Sequence, residues 1–398
     1  MVSQSMEQLG RCRSVIREIF EYGNRRRAEI GAENVFDFSL GNPSVPPPRE
    51  VTDALLALIS EREPTALHGY TSAPGAIPVR EAIAAHIRDT YAFPATADTI
   101  YMTVGAAAAL TVSLRALLSD GAGEEVIAFT PFFPEYRVFC EAAGGKLVTV
   151  PCREPSFEID LDAFRAAITE KTKAVIVNSP NNPTGAVLSR ENLVGMADAL
   201  RAAEKKYGHP IYLLSDEPYR ELVYGDVEVP YLPALYDDTI VSYSFSKSLS
   251  LPGERIGYLF VSPRATDADS VYAAILGAGR ALGFVCAPSL FQHLLPVCLG
   301  KTADISVYQR NRDLLYGALS ELGFACVPPS GAFYLFMRAP GGDAAAFAEI
   351  AKRHELLLVP SDSFGCPGYV RISYCVATET IERSLPAFRA LAAECGLI

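Results

Sequence analysis

The chain contains no tryptophan, five methionines and five histidines, and the histidines, at positions 68, 86, 209, 293 and 354, lie far apart. No set of histidines and cysteines has metal-ligand spacing, so a structural metal such as zinc is not expected. No run approaches the roughly eighteen consecutive apolar residues of a membrane span. The polar start, with Ser3, Gln4, Ser5 and Glu7, is unlike a signal peptide. Basic residues are in deficit, 35 Lys and Arg against 46 Asp and Glu, giving a net charge of −11. With no long Lys or Arg block, this balance argues against a nucleic-acid surface. The densest basic cluster, Arg25-Arg26-Arg27, reads as the solvated face of an N-terminal helix. The nine cysteines are scattered from Cys12 to Cys395 with no Cys-x-x-Cys pair. That odd count and wide spacing suit reduced, mostly buried thiols of a cytoplasmic protein.

What is present is a large apolar fraction, 49% of 398 residues, with 20% charged. A chain of this length and composition can bury a sizeable core and has room for two or three domains. Residues 7–30 read as one amphipathic helix, with Leu9, Val15, Ile16, Ile19 and Phe20 on its apolar side. Pro46-Pro47-Pro48 forces an extended connection. Short apolar runs then recur at 100–104, 126–129, 147–150, 174–178, 211–215, 240–244 and 258–261. Helical stretches at 105–118, 160–168 and 190–207 separate several of them. Apolar runs joined by helices predict an α/β architecture, a mostly parallel sheet covered by helices. From about 290 the texture changes. Helices at 304–322 and 378–394 flank short strands near 332–337, 356–359 and 369–373, with a turn at Pro328-Pro329-Ser330-Gly331. This predicts a smaller α+β domain. The expected division is an N-terminal segment at 1–47, helix plus strand, packing with the small domain; a large domain at 48–288; and the small domain at 289–398.

Ligands of such sheets sit beyond the carboxyl ends of the strands, where the chemically suggestive residues cluster. Gly105 follows the first run, Asn182 the fourth, Asp216 the fifth and Lys247 the sixth. Lys247, in Ser244-Phe245-Ser246-Lys247-Ser248, is the one side-chain type that forms an imine with an aldehyde cofactor. A lone lysine is more often a surface residue; its strand-end position in apolar surroundings favours the chemical role. Asp216 would keep a pyridine ring nitrogen protonated by raising its pKa, or else cap a turn at Glu217. Tyr219 and Asn182 offer an O–H and an N–H₂ to a phenolic oxygen, although Asn182-Pro183-Thr184-Gly185 is also a good turn sequence. Gly105 opens a helix whose Ala106 and Ala107 N–H groups would face an anion, and Ser244 and Arg255 would complete a phosphate cradle. Arg255 has Glu254 as an alternative partner. Phe133, or its neighbour Phe132, would cover a flat ring. Arg371, within Tyr369-Val370-Arg371-Ile372-Ser373-Tyr374, suits an α-carboxylate, unless it is an exposed strand residue. Gly41 would let backbone approach the same carboxylate.

With these motifs in order from about residue 36 to 373, the chain resembles the class I/II aminotransferases, the aspartate aminotransferase-like enzymes of fold type I that use pyridoxal phosphate. The Asn-Asn-Pro-Thr-Gly run, Asp-x-x-Tyr, Ser-x-Ser-Lys and Arg-x-Gly together carry the resemblance. It implies that Lys247 holds the cofactor and carries the proton, with Asp216 at the ring nitrogen and Asn182 and Tyr219 at the phenolic oxygen. Ser244 and Arg255 would bind the phosphate, and Arg371 the substrate carboxylate. Tyr70, in Tyr70-Thr71-Ser72-Ala73-Pro74-Gly75, looks like the tyrosine that reaches the neighbouring subunit's phosphate, implying a homodimer with shared sites. Two positions depart from frequent usage: Ala107 offers only backbone where many relatives have a polar side chain, and Phe133 replaces Trp or Tyr. No distal cation for a side-chain carboxylate stands out; Arg280 is the one candidate.

The expected activity is transfer of an amino group from an L-amino acid (aspartate, aromatic or other) to a 2-oxo acid, 2-oxoglutarate in the first place, with ping-pong kinetics. A lyase, decarboxylase or synthase on the same fold is the alternative. A ligand-sensing regulatory module is disfavoured by the acidic charge and the short segment before residue 36.

Overall fold

The computed structural model describes every residue except Met1, Cys12 and Arg13. Its centre is an eight-stranded sheet in the order Ile100–Thr103, Gly257–Val261, Thr239–Ser244, Tyr212–Asp216, Thr172–Asn178, Glu125–Thr130, Lys146–Arg153, Glu158–Ile159. Pairing is parallel from Thr239–Ser244 through Lys146–Arg153. All seven apolar runs are strands. Gly257–Val261 runs antiparallel to both its neighbours, and the short edge strand Glu158–Ile159 is also antiparallel.

The sheet is covered on both faces, which is why its strands are continuous apolar runs. Successive side chains alternate between layers. In Glu125–Thr130, Val126 and Ala128 join the cluster of Leu110 and Leu114 from the helix Ala106–Leu117. Ile127 and Phe129 join that of Leu193, Met196 and Leu200 from the helix Arg190–Tyr207. Ile127 is fully buried, and cutting it to Ala would cost about 2–5 kcal/mol.

A second, antiparallel sheet contains Cys326–Val327, Tyr334–Arg338, Tyr369–Ser373 and Val359–Pro360, in that order. Helices Ile305–Glu321, Ala344–Arg353 and Thr378–Glu394 supply its core. The N-terminal strand Phe36–Asp37 pairs in parallel with Leu356–Leu357, and the Ser373 N–H donates to Phe38 O at 2.9 Å.

Two N-terminal expectations change. The single helix at 7–30 is two helices, Gln4–Arg11 and Val15–Ile30, separated by a stretch whose residues 12 and 13 lie outside the described residues. Gln4–Arg11 buries no residue, so Leu9 is exposed despite its place in the apolar pattern. The Arg25-Arg26-Arg27 cluster is not simply solvated. Arg26 pairs with Glu355 at 2.6 Å and Arg27 with Asp37 at 2.7 Å, tying Val15–Ile30 to the paired strands beside it. The eight described cysteines are free. Among the described residues, no helix is long and apolar enough to cross a membrane.

Candidate active site

A cleft of about 300 Å³ opens where the large sheet's strands end and the small sheet begins. Four segments from the large sheet reach it. Ile100–Thr103 leads through Gly105 into Ala106–Leu117; Thr172–Asn178 leads to Asn182; Tyr212–Asp216 ends on Asp216; and Thr239–Ser244 leads into the short helix Phe245–Ser248, which carries Lys247. From the other side Tyr334 and Arg371 face the same space, and Leu40 and Gly41 line it from the segment after Phe36–Asp37.

Lys247 sits in the wall. Its Nζ donates to Gly41 O at 2.6 Å and lies 5.2 Å from the centre of the Phe333 ring. Burial pulls the ammonium down to about 8, and the nearby Arg371 and Arg255 charges act the same way. At pH 7 about a tenth of an amine so depressed is neutral, as a nucleophile must be, far more than for an ordinary lysine.

Asp216 is 6% exposed and caps no turn. Tyr136 O–H donates to its Oδ2 at 2.5 Å, while Oδ1 is buried with no partner. Burial raises the carboxyl to about 7, against the Tyr136 hydrogen bond, which lowers it. A buried carboxylate oxygen without a donor costs free energy unless a ligand supplies one.

The anion end is built by backbone. Gly105 precedes Ala106–Leu117 with φ +88°, a left-handed value glycine tolerates. A Cβ there would lie 2.5 Å from Arg255 Nη2, so glycine is what lets the guanidinium lie over the helix N-terminus. Arg255 itself has φ +51°, uncommon for a side-chain-bearing residue. Its Nη1–H groups donate to Pro252 O at 2.9 Å and Ser246 Oγ at 3.3 Å, and Nη2 donates to Val104 O at 3.3 Å. Glu254 is not among these partners. Ser244 Oγ is 2.7 Å from Ser246 Oγ, so the two hydroxyls and Arg255 form one donor cluster. Ala106 and Ala107 line the same end.

Arg371 is 2% exposed, not a solvated strand residue. Tyr369–Ser373 has a strand along each edge, and both its faces are covered: Val370 and Ile372 point into the small domain's core and Arg371 lies under the Ser39 segment. Arg371 Nη1 donates to Asn182 Oδ1 at 3.1 Å and Nη2 to Ser39 O at 2.5 Å, while Nε has no partner. Burial lowers its pKa. The Asn182 carbonyl is thereby engaged, which leaves its N–H₂ for the cleft. Asn178 holds this loop, accepting from Asn182 N–H at 2.8 Å and donating to Asp216 O at 2.9 Å.

Phe133 lines the cleft, whereas Phe132 is buried in the core behind it. Tyr219 is buried, its hydroxyl 2.9 Å from that of Tyr334. Tyr70 stands apart at 91% exposed and does not line the cleft. Arg280 is exposed on the helix Ala268–Ala281 and does not line it either. Sequence reasoning missed Tyr136, Asn178 and Tyr334, which act through contacts distant in sequence, and gave no role to Ser246, although it lies within the Ser-x-Ser-Lys motif.

These groups fit pyridoxal phosphate. A depressed lysine, a carboxylate oxygen lacking a donor, a glycine-opened helix N-terminus under an arginine and a buried guanidinium with a free N–H surround one cleft. Fold and cleft together define a pyridoxal phosphate-dependent enzyme. Residues 33–388 match the family aminotransferase class I and II, and the chain belongs to that family. It is a transaminase by that membership. An aspartate aminotransferase of Thermotoga maritima is 30% identical, over 89% of this chain and 90% of that protein. An aromatic-amino-acid aminotransferase of Thermococcus litoralis is 31% identical over 94% of each. Among solved structures, an aminotransferase from Eubacterium rectale superposes with TM-score 0.97 at 51% identity over 99% of both chains. The aspartate aminotransferase of Thermus thermophilus with maleate superposes with TM-score 0.86 at 27% identity, over 98% of this chain and 100% of that one.

Proposed function

We propose that the enzyme takes the amino group of an L-amino acid and, in a second half-reaction, gives it to a 2-oxo acid such as 2-oxoglutarate, with ping-pong kinetics. Aspartate and aromatic amino acids are the first donors to try, because relatives are named for them. The observation that carries the reading is the Lys247 amine and the donor-less Asp216 Oδ1 lining one cleft.

Bound there, pyridoxal phosphate supplies a carbonyl that holds amines covalently and a ring that draws electrons from the substrate α-carbon. Lys247 Nζ would hold the cofactor, and the freed amine would accept the substrate α-proton and deliver it to the carbon on the other side of the imine nitrogen. Asp216 Oδ1 would accept a hydrogen bond from the protonated ring nitrogen and keep the proton there. Tyr219 O–H and the Asn182 N–H₂ donate to the phenolic oxygen. Gly105, Ala106 and Ala107 backbone, Ser244 and Arg255 hold the phosphate, and Phe133 covers the ring. Arg371, with the Gly41 backbone beside it, binds the α-carboxylate. The exposed Tyr70 reaches the phosphate of a second copy, making the active form a homodimer in the cytoplasm. Residues 1–47 and 299–398 act as one lobe against 48–298; the expected boundary at 288 moves because Leu294, Leu295 and Cys298 of the helix Ser289–Cys298 pack with Val51, Val79 and Ile83.

Lys247→Ala tests this: the variant should lose turnover and the absorbance of the lysine-bound cofactor, and retained activity would refute it. Common amino acids offered with 2-oxoglutarate should yield glutamate. Ammonia or sulfide in its place would identify a lyase.

A further inference from the structure

Tyr334 has no part in the scheme above, yet three contacts converge on it. Its hydroxyl is 2.9 Å from that of Tyr219. Its ring lies under the Arg371 guanidinium, 4.8 Å from ring centre to Cζ. A Cβ on Gly41 would collide with its hydroxyl, so the glycine whose carbonyl accepts from Lys247 also makes room for that hydroxyl. Tyr334 is 2% exposed, paired with Ser373 in the sheet register and packed edge-on against Tyr219 at 5.7 Å between ring centres. The side chain is therefore held by Tyr219, Arg371 and Gly41, with the cleft beside it.

We propose that Tyr334 is a positioning residue that couples the substrate-carboxylate arginine to Tyr219, its hydroxyl aiming the Tyr219 proton into the cleft while its ring orients Arg371. The inference rests on the transaminase reading and on Tyr219 facing the cofactor's phenolic oxygen.

Two hydroxyls share one hydrogen bond, so only one donates within the pair. If Tyr334 donates, the Tyr219 proton is left for the cleft, and Tyr219 becomes the stronger donor because hydrogen bonds in a chain polarise one another. Arg371 favours that direction. Its charge acts on both phenols, but its guanidinium lies against the Tyr334 ring, 4.8 Å from the ring centre, and so favours Tyr334 as the donor. Burial pushes Tyr334 up to about 12 against that pull, and raises Tyr219 well above its ordinary value. The other titratable groups acting on the pair are Asp216, on Tyr219, and Cys375, on Tyr334; both make the hydroxyls harder to ionise. Tyr334 touches both Arg371, through its ring, and Tyr219, through its hydroxyl.

The test is a spectrophotometric pH titration of the cofactor-loaded protein, with maleate as a carboxylate ligand that carries no amino group. A donor to the phenolic oxygen lowers the basicity of the lysine-bound cofactor. Tyr334→Phe should therefore raise the apparent pKa of its absorbance by roughly half to one pH unit, the size of one neutral hydrogen bond. The same substitution in a Tyr219→Phe background should shift nothing further. Tyr334→Phe keeps the ring and should change the maleate dissociation constant by less than about 3-fold, whereas Tyr334→Leu should raise it about 5- to 30-fold. A titration unmoved by Tyr334→Phe, or moved equally with and without Tyr219, would overturn the proposal while leaving the transaminase reading intact. Cofactor absorbance persisting in Lys247→Ala would overturn both.

Discussion

Asp216→Asn keeps the side chain's shape and removes its charge, and it should act with opposite signs on the cofactor-free and cofactor-loaded protein. In the free cleft Asp216 has one donor, Tyr136, and one oxygen with none. Burial raises its carboxyl from an ordinary 3.8 to about 7. At roughly 1.4 kcal/mol per pH unit, holding it ionised costs the folded chain on the order of 4 kcal/mol. Below pH 4 the carboxyl is protonated folded or unfolded, and the penalty is absent. As pH rises toward 7 the unfolded chain releases the proton while the folded chain keeps it, so stability falls; above 7 the full penalty applies. For a chain of this length the penalty corresponds to a melting temperature lower by about 5 °C.

The assay is thermal unfolding of cofactor-free wild type and variant between about pH 5 and pH 8. The wild type should lose several degrees relative to the variant across that window. Asn brings an amide N–H that also lacks a partner, an offset of roughly 1–3 kcal/mol independent of pH. The slope therefore carries the test, not the offset. With cofactor loaded the order reverses: the variant has no anionic acceptor for the ring nitrogen's proton, and kcat should fall about 10²- to 10³-fold. Parallel melting curves for the two cofactor-free proteins would refute the argument that this carboxylate stores destabilisation that the ligand relieves.

Other substitutions probe the remaining contacts. Gly105→Ala forces a Cβ against Arg255 at φ +88° and should cost about 1–3 kcal/mol of stability, with weaker cofactor uptake by titration of the cofactor-free protein. Arg371→Lys replaces a fork by a point charge and should lower kcat/KM for the amino-acid donor about 10²-fold, read as a rise in KM more than a fall in kcat. Since Lys247 lies near 8 and only its neutral amine attacks a carbonyl, cofactor uptake should quicken about tenfold per pH unit below 8 and level off above it. A rate still climbing toward pH 10 would mean that the amine is not depressed.

Four of the residues that the sequence exposed share a property: each ends a strand or follows one by a few positions, so strand ends and cofactor chemistry could be matched along one line. Gly105, Asn182, Asp216 and Lys247 were found that way. The helix covering the sheet and the apolar runs beneath it were equally legible, because burial on both faces leaves an unbroken hydrophobic signature. What was hidden depends on which strands lie side by side. Periodicity carries no direction, so Gly257–Val261 gave no sign that it runs against its neighbours. Arg371 alternates with Val and Ile like a solvent-facing residue, but the Ser39 segment crosses over it, a contact between positions 332 apart. Tyr136 reaches Asp216 across 80 positions and Tyr334 reaches Tyr219 across 115.

These hidden partners have a common physical role. Asp216, Asn182, Tyr219 and Arg371 are polar groups held where water is scarce, and each would be costly and poorly oriented alone. Tyr136 fixes one oxygen of Asp216 and leaves the other free; Arg371 occupies the Asn182 carbonyl and leaves its amide; Tyr334 satisfies one side of the Tyr219 hydroxyl. In each case the supporting contact consumes part of a group's hydrogen-bonding capacity and directs the remainder into the cleft. Apart from Arg371, which also has a role of its own, the residues that supply this support need only be the right shape at the right place, which is why tyrosines in an ordinary helix and strand serve, and why no motif announces Tyr136 or Tyr334.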